Sequence, residues 1–137
     1  MTRSTSTHNL MHLISEHKPG FGLAGPFYTD PDIFDDDLKQ VFRRHWHCVG
    51  HQSTIPNAGD YEKFELAGES ILITRDKDGE VYALLNVCRH RGASVCAEQR
   101  GNRRVFVCPY PAWSYSSDGA LRGAREMPKG LTAQPTA

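Results

Sequence analysis

Two short stretches of this 137-residue chain carry residue types that metal chemistry uses. They are Cys88-Arg89-His90-Arg91-Gly92 and Cys108-Pro109-Tyr110-Pro111-Ala112-Trp113. Each follows a run with β pattern, so each reads as a cysteine-bearing loop at a strand end. Two rigid strands can hold such loops face to face, so that thiolates and imidazole converge on one metal centre while Gly and Pro shape the backbone around it. Soft thiolates suit iron-sulfur clusters or zinc, and imidazole serves either. A zinc-binding structural module built from Cys88, His90, Cys96 and Cys108 is one open reading, a Cys3His set with irregular spacing. Two disulfides among Cys48, Cys88, Cys96 and Cys108 are another, disfavoured because no secretory signal is legible and a reducing compartment favours ligation or burial. Cys48 and Cys96 read as small buried hydrophobes. His45, His47 and His51 read as satisfied or exposed histidines rather than ligands.

The elements that must position these loops follow from periodicity. Residues 1–24 mix Ser, Thr, His and Gly with few large apolar side chains and are expected to be a flexible N-terminal segment. Asp30-Pro31 opens a helix, with Asp30 as cap and Pro31 at the first helical position. Phe34, Leu38, Val41 or Phe42, and Trp46 recur at spacings of three and four, which predicts a single apolar stripe running to Trp46. A short strand is expected over 47–50 and a turn over Ile55-Pro56-Asn57-Ala58-Gly59. Strands are then predicted over 61–66, 70–75 and 81–87, separated by Ala67-Gly68-Glu69 and Asp76-Lys77-Asp78-Gly79. A further strand is expected over 104–107, and a hairpin over 113–121 around Ser117-Asp118-Gly119. The prediction is an all-β fold of antiparallel sheets with two loops at one end and one N-terminal helix. The domain is expected over 25–128, with a tail over 129–137.

Composition narrows the function classes. One domain fits this length. Lysine plus arginine and aspartate plus glutamate balance at 16 each, so no field of either sign points to nucleic acid or an anionic membrane. The apolar runs are strand-sized and far short of the roughly 18–20 residues that span a bilayer. The N-terminal Leu10-Met11-His12-Leu13-Ile14 lacks the continuous apolar centre of a secretory signal, and the expected location is the cytoplasm.

The two loops and their surroundings resemble the Rieske domain of ring-hydroxylating oxygenase alpha subunits. The family pattern is Cys-x-His, then 15 to 17 residues, then Cys-x-x-His. Cys88, His90 and Cys108 match it, with 17 residues, 91 to 107, between His90 and Cys108. Arg91-Gly92, Cys108-Pro109-Tyr110, Trp113-Ser114-Tyr115 and Asp118-Gly119-Ala120-Leu121-Arg122 also resemble the family. The opening Pro26-Phe27-Tyr28-Thr29-Asp30-Pro31 and the helix resemble the subgroup acting on quaternary amines. The resemblance implies a Rieske iron-sulfur fold and a 2Fe-2S cluster, with Cys88 and Cys108 on one iron and His90 on the other. It also implies that Tyr110 and Trp113 pack around the cluster and that Arg91 neighbours it. The implied partners are a reductase or ferredoxin electron donor and an oxygenase catalytic domain.

One residue departs from the pattern. The place of the second histidine, three after Cys108, is held by Pro111, whose side chain has no donor atom. Two neutral imidazoles raise the potential of such a cluster from about −400 mV into a range of about −150 to +300 mV, and the second imidazole also supplies a hydrogen bond for electron exit. Pro111 supplies neither, so the cluster is expected to be incomplete, labile or absent. No histidine follows Leu121, so the two-histidine, one-carboxylate iron site of an oxygenase is not legible here, and the chain is not expected to oxygenate a substrate alone. Three readings stay open: an electron-transfer domain with an impaired cluster, a cluster-free interaction domain of the same fold, and the zinc module.

Overall fold

The computed structural model describes residues 4–110 and 112–125. Its contacts divide the chain into two compact units, one up to His47 and one from Cys48 onward.

The first unit is helical. Helix α1 spans Ser4–Ser15, inside the stretch for which the sequence suggested no element. A single turn, α2, covers Pro26–Thr29 and leads into α3, Pro31–Asp37. The expected cap is present: the Asp30 carboxylate accepts from the amides of Asp32 at 2.9 Å and Ile33 at 3.4 Å. The expected long helix is not. After Asp37 the chain widens into a π-helical turn over Leu38–Phe42, where the Arg43 amide reaches back five residues to the Leu38 carbonyl. A five-residue return breaks the three-and-four spacing, so the apolar stripe loses its phase beyond Leu38. Ile33 is buried instead, whereas Phe34, Val41, Phe42 and Trp46 are exposed.

The second unit is β. Strands β1 (Asp60–Leu66), β2 (Glu69–Arg75), β3 (Val81–Leu85) and β4 (Arg100–Asn102) form one antiparallel sheet in the order β3-β2-β1-β4. Strands β5 (Val105–Val107), β6 (Ser114–Ser116) and β7 (Leu121–Gly123) form a second sheet in that order. No ladder forms over 47–50, so the strand expected there is absent. Ala67 and Gly68 both have positive φ, 53° and 82°, which matches the right-handed twist of the β1–β2 hairpin. At the next turn the Asp76 carboxylate accepts from the amides of Asp78 and Glu80. Strand β3 stops at Leu85, earlier than predicted, because the Val87 amide folds back onto the Leu85 carbonyl at 2.8 Å. Strand β4 was not anticipated, since Arg100-Gly101-Asn102 has no β-forming side chain. It pairs with β1 because Gly101 lies over the Tyr61 ring, where a Cβ would stand 2.9 Å from the phenol oxygen.

The core sits between the sheets. Leu72 and Thr74 point inward from β2, and the Thr74 hydroxyl donates to the Ser117 carbonyl of the β6–β7 turn at 2.5 Å. Tyr61 and Phe106 meet edge to face, 5.2 Å between centroids, and the buried cluster continues through Val95, Cys96 and Tyr115 to Cys88 and Cys108. The thiols are therefore part of the packed interior at one end of the sheets. Among the described residues no helix is long and apolar enough to cross a membrane.

Candidate metal centre

The two cysteine loops fold in the same way. In the first, leaving β3, the Cys88 amide donates to the Ala93 carbonyl at 2.7 Å and the Gly92 amide to the Cys88 carbonyl at 2.8 Å. In the second, leaving β5, the Cys108 amide donates to the Trp113 carbonyl at 2.8 Å and the Ala112 amide to the Cys108 carbonyl at 3.1 Å. The residue four after each cysteine is left-handed, Gly92 at φ 74° and Ala112 at φ 55°. Two turns of one design thus present their cysteines at equivalent places.

Both side chains are buried, at 0% and 1% exposure, and the Cys88 and Cys108 thiols act on each other's titration. Burial raises the Cys88 thiol, but the Tyr115 hydroxyl, the amides of His90 and Arg91, and Cys108 outweigh it and hold Cys88 below the usual thiol range. Cys108 goes the other way. Burial pushes it up, the Tyr110 amide opposes the rise, and the neighbouring Cys88 adds to it. Tyr115 stands on β6 with its hydroxyl 3.4 Å from the Cys88 sulfur, and it accepts from the Arg89 amide at 3.2 Å. Its phenol is pushed up to about 12, chiefly by burial and then by Cys88, so it is protonated at neutral pH.

The remaining sequence-predicted residues lie around this pair. His90 is exposed, its ring 5.2 Å from that of Trp113 and tilted by 43°. The half-buried Trp113 donates its indole N–H to the Arg125 carbonyl at 3.1 Å. Tyr110 is exposed, with the Arg91 guanidinium 5.8 Å from its ring centroid. Pro111 lies outside the described residues. Cys96 is turned elsewhere: its thiol faces the Glu98 carbonyl at 3.7 Å and the Glu98 carboxylate at 3.5 Å. Among the described residues no three His, Cys, Asp or Glu side chains gather around a site for a single metal ion. All four cysteines are free, and Cys48 is exposed. His45 is exposed, His47 stacks on Phe42 with a nitrogen 2.9 Å from the Phe42 carbonyl, and His51 pairs with Ser53.

Two supporting residues escaped the sequence reading. Tyr115 was visible only as part of Trp113-Ser114-Tyr115, and nothing local marks its hydroxyl as a partner of Cys88. Asn86, two residues before Cys88, is buried with all its side-chain polar atoms used. Its Oδ1 accepts from the amides of Val95 and Cys96, and its Nδ2 donates to the Cys96 carbonyl at 2.8 Å and the Ser70 hydroxyl at 3.2 Å. It thereby ties the exit of the first loop to its entrance.

A buried pair of interacting thiols that receive amide donors, set beside an exposed imidazole in a matched pair of loops, defines a small β domain of the iron-sulfur kind. The chain belongs to the Rieske [2Fe-2S] domain family, which matches residues 45–135. It is 42% identical over 95 residues to the large oxygenase component of the 2,4-dinitrotoluene dioxygenase system of Burkholderia sp. (strain RASC), covering 69% of this chain and 21% of that one. It is 37% identical over 101 residues to the glycine betaine monooxygenase oxygenase subunit of Pseudomonas aeruginosa, covering 74% of this chain and 24% of the other. Its fold is similar to that of naphthalene 1,2-dioxygenase from Rhodococcus sp. bound to indole, with a TM-score of 0.79 and 32% identity over 87% of this chain and 27% of that structure. The chain therefore spans between a fifth and a quarter of the length of the curated relatives named here. Those relatives include both an aromatic-compound dioxygenase and a quaternary-amine monooxygenase.

The donor set fits one half of the family's cofactor. Cys88 and Cys108 suit one iron of a 2Fe-2S cluster, whereas the other iron is offered His90 and, at the fourth place in the family pattern, a proline. Among the described residues the two loops supply no fourth donor of the family pattern beside Cys88, His90 and Cys108.

Proposed function

We propose that this chain is the electron-transfer domain of an oxygenase component, with cluster binding impaired at Pro111. In this reading Cys88 and Cys108 hold one iron of a 2Fe-2S cluster, His90 holds the other, and Arg91, Tyr110 and Trp113 surround them. The domain extends over residues 25–128, takes electrons from a reductase or ferredoxin, and passes them to an oxygenase catalytic domain. The observation that carries the reading is the pair of buried, interacting thiols in loops that close with the same two backbone hydrogen bonds. A structural set around four protein ligands has less support, because the Cys96 thiol faces Glu98. The second reading, a cluster-free interaction domain, is favoured by one observation: His90 is the sole imidazole the two loops carry, and it is exposed.

The test is iron and sulfide per chain, with the visible spectrum, after identical anaerobic reconstitution of the parent protein and of Pro111→His. Partial occupancy in the parent and higher occupancy with a reddish-brown colour in Pro111→His are expected. Full occupancy in both would mean that another group already completes the site. Zero in both would establish the cluster-free reading, and zinc without sulfide the module.

A further inference from the structure

The matched loops allow a position-by-position comparison that goes beyond the missing imidazole and rests on the proposed cluster site. In the first loop the residues two and three after the cysteine, His90 and Arg91, both donate their amides to the Cys88 sulfur. In the second, the residue two after the cysteine, Tyr110, donates its amide to Cys108. The residue three after it is Pro111, which has no N–H to give. Four after the cysteine the first loop has Gly92 at φ 74°, with nothing within 4 Å of where a Cβ would stand, so it is the backbone angle and not crowding that glycine serves there. The second loop makes the same turn with Ala112 at φ 55°. A left-handed conformation brings the Cβ of an L-residue too close to the following carbonyl, a penalty glycine avoids.

We infer that the Cys108 loop lacks three separate contributions: an imidazole and an amide donor at position 111, and a glycine at position 112. Each acts on a different part of the site. The imidazole is a ligand. The amide would lower the negative charge carried by the Cys108 sulfur once it binds iron, as the Arg91 amide does for Cys88, and amide bonds to sulfur are among the factors that stabilise thiolate-held clusters. The glycine would let the turn close without strain, so that the loop keeps its shape when the metal is absent. Positions 111 and 112 are therefore positioning residues for Cys108 as well as the place of a ligand, and histidine at 111 alone restores two of the three contributions.

The experiment compares the parent, Pro111→Ala, Ala112→Gly, Pro111→His and the double variant Pro111→His/Ala112→Gly. It reads iron and sulfide per chain after the same reconstitution, the rate of cluster loss to an excess of chelator, and the melting temperature of each metal-free protein. Pro111→Ala, which restores the amide without the imidazole, is expected to lose iron more slowly than the parent and faster than Pro111→His. The double variant is expected to lose it more slowly than Pro111→His, by roughly five- to thirtyfold, the factor that relieving one left-handed non-glycine residue is worth. In the metal-free series Ala112→Gly is expected to raise the melting temperature by a few degrees.

Loss rates for Pro111→Ala equal to the parent, and for the double variant equal to Pro111→His, would overturn the inference while leaving the Rieske reading intact. Failure of every variant to take up iron would overturn the proposed function itself. In that case an unchanged or lower melting temperature in Ala112→Gly would also overturn the strain at Ala112.

Discussion

Replacing Asn86 by alanine removes four hydrogen bonds at once and tests whether the first cysteine loop is held from below. The amides of Val95 and Cys96 lose Oδ1, and the Cys96 carbonyl and Ser70 hydroxyl lose Nδ2. Val95 and Cys96 are buried, so their amides have little access to water. A buried donor or acceptor left without a partner costs about 1–3 kcal/mol, and the low end suits a site where the deleted side chain leaves room for solvent. Three orphaned backbone groups at about 1 kcal/mol each give a loss of roughly 3 kcal/mol, a large part of the roughly 5–15 kcal/mol that holds a domain folded. For a unit of this size each kcal/mol lowers the melting temperature by about 4–8 °C, so a drop on the order of 10–20 °C is expected. The assay is urea denaturation of the metal-free protein, in which the midpoint should fall while the slope stays constant. Ser70→Ala, which removes only the longest of the four bonds, should cost under about 1 kcal/mol. An Asn86→Ala variant within about 1 kcal/mol of the parent would refute the clamp.

Cys88→Ser and Cys108→Ser should each abolish whatever cluster the reconstituted protein holds, read as loss of the visible spectrum, whereas Cys48→Ser, at an exposed position, should leave it unchanged. Tyr115→Phe keeps the ring but removes the hydroxyl beside the Cys88 sulfur and the Arg89 amide; a stability loss of about 1–3 kcal/mol is expected in denaturant unfolding, and no loss would show that neither contact matters. The Asp118 carboxylate is held below its ordinary value first by the Ser116 hydroxyl and then by the Ala120 amide. Because its folded value is depressed, its contribution is fully present above the unfolded value of about 3.9 and is lost as pH falls through the lower folded value. Asp118→Asn keeps the acceptor without the charge, so the difference in stability between the two proteins should shrink on acidification below about pH 4, and a constant difference would refute the assignment.

Local chemistry made much of this molecule legible in its sequence. Asp30 capping the helix that starts at Pro31, the paired turn residues Ala67-Gly68, and the carboxylate of Asp76 at the next turn all act within a few residues of themselves, so the elements they set were readable from spacing. Cys88, His90 and Cys108 stood out because their types have few other reasons to sit together, whereas the apolar run Ile71-Leu72-Ile73 did not say which face of β2 is buried. Pro111 was also legible as a departure, since a missing donor atom is a covalent fact. What depended on distant partners was not readable. Strand β4 exists because Gly101 can lie against Tyr61, about forty residues away, and no property of Arg100-Gly101-Asn102 announces it. The predicted apolar stripe from Phe34 to Trp46 fails because one π-turn, which the pattern does not encode, shifts its phase after Leu38. The equivalence of the two cysteine loops, the donors that Tyr115 and Asn86 supply, and the left-handed angle at Ala112 belong to the tertiary structure alone. A hydrogen bond joins groups by distance in space, and sequence records only distance along the chain.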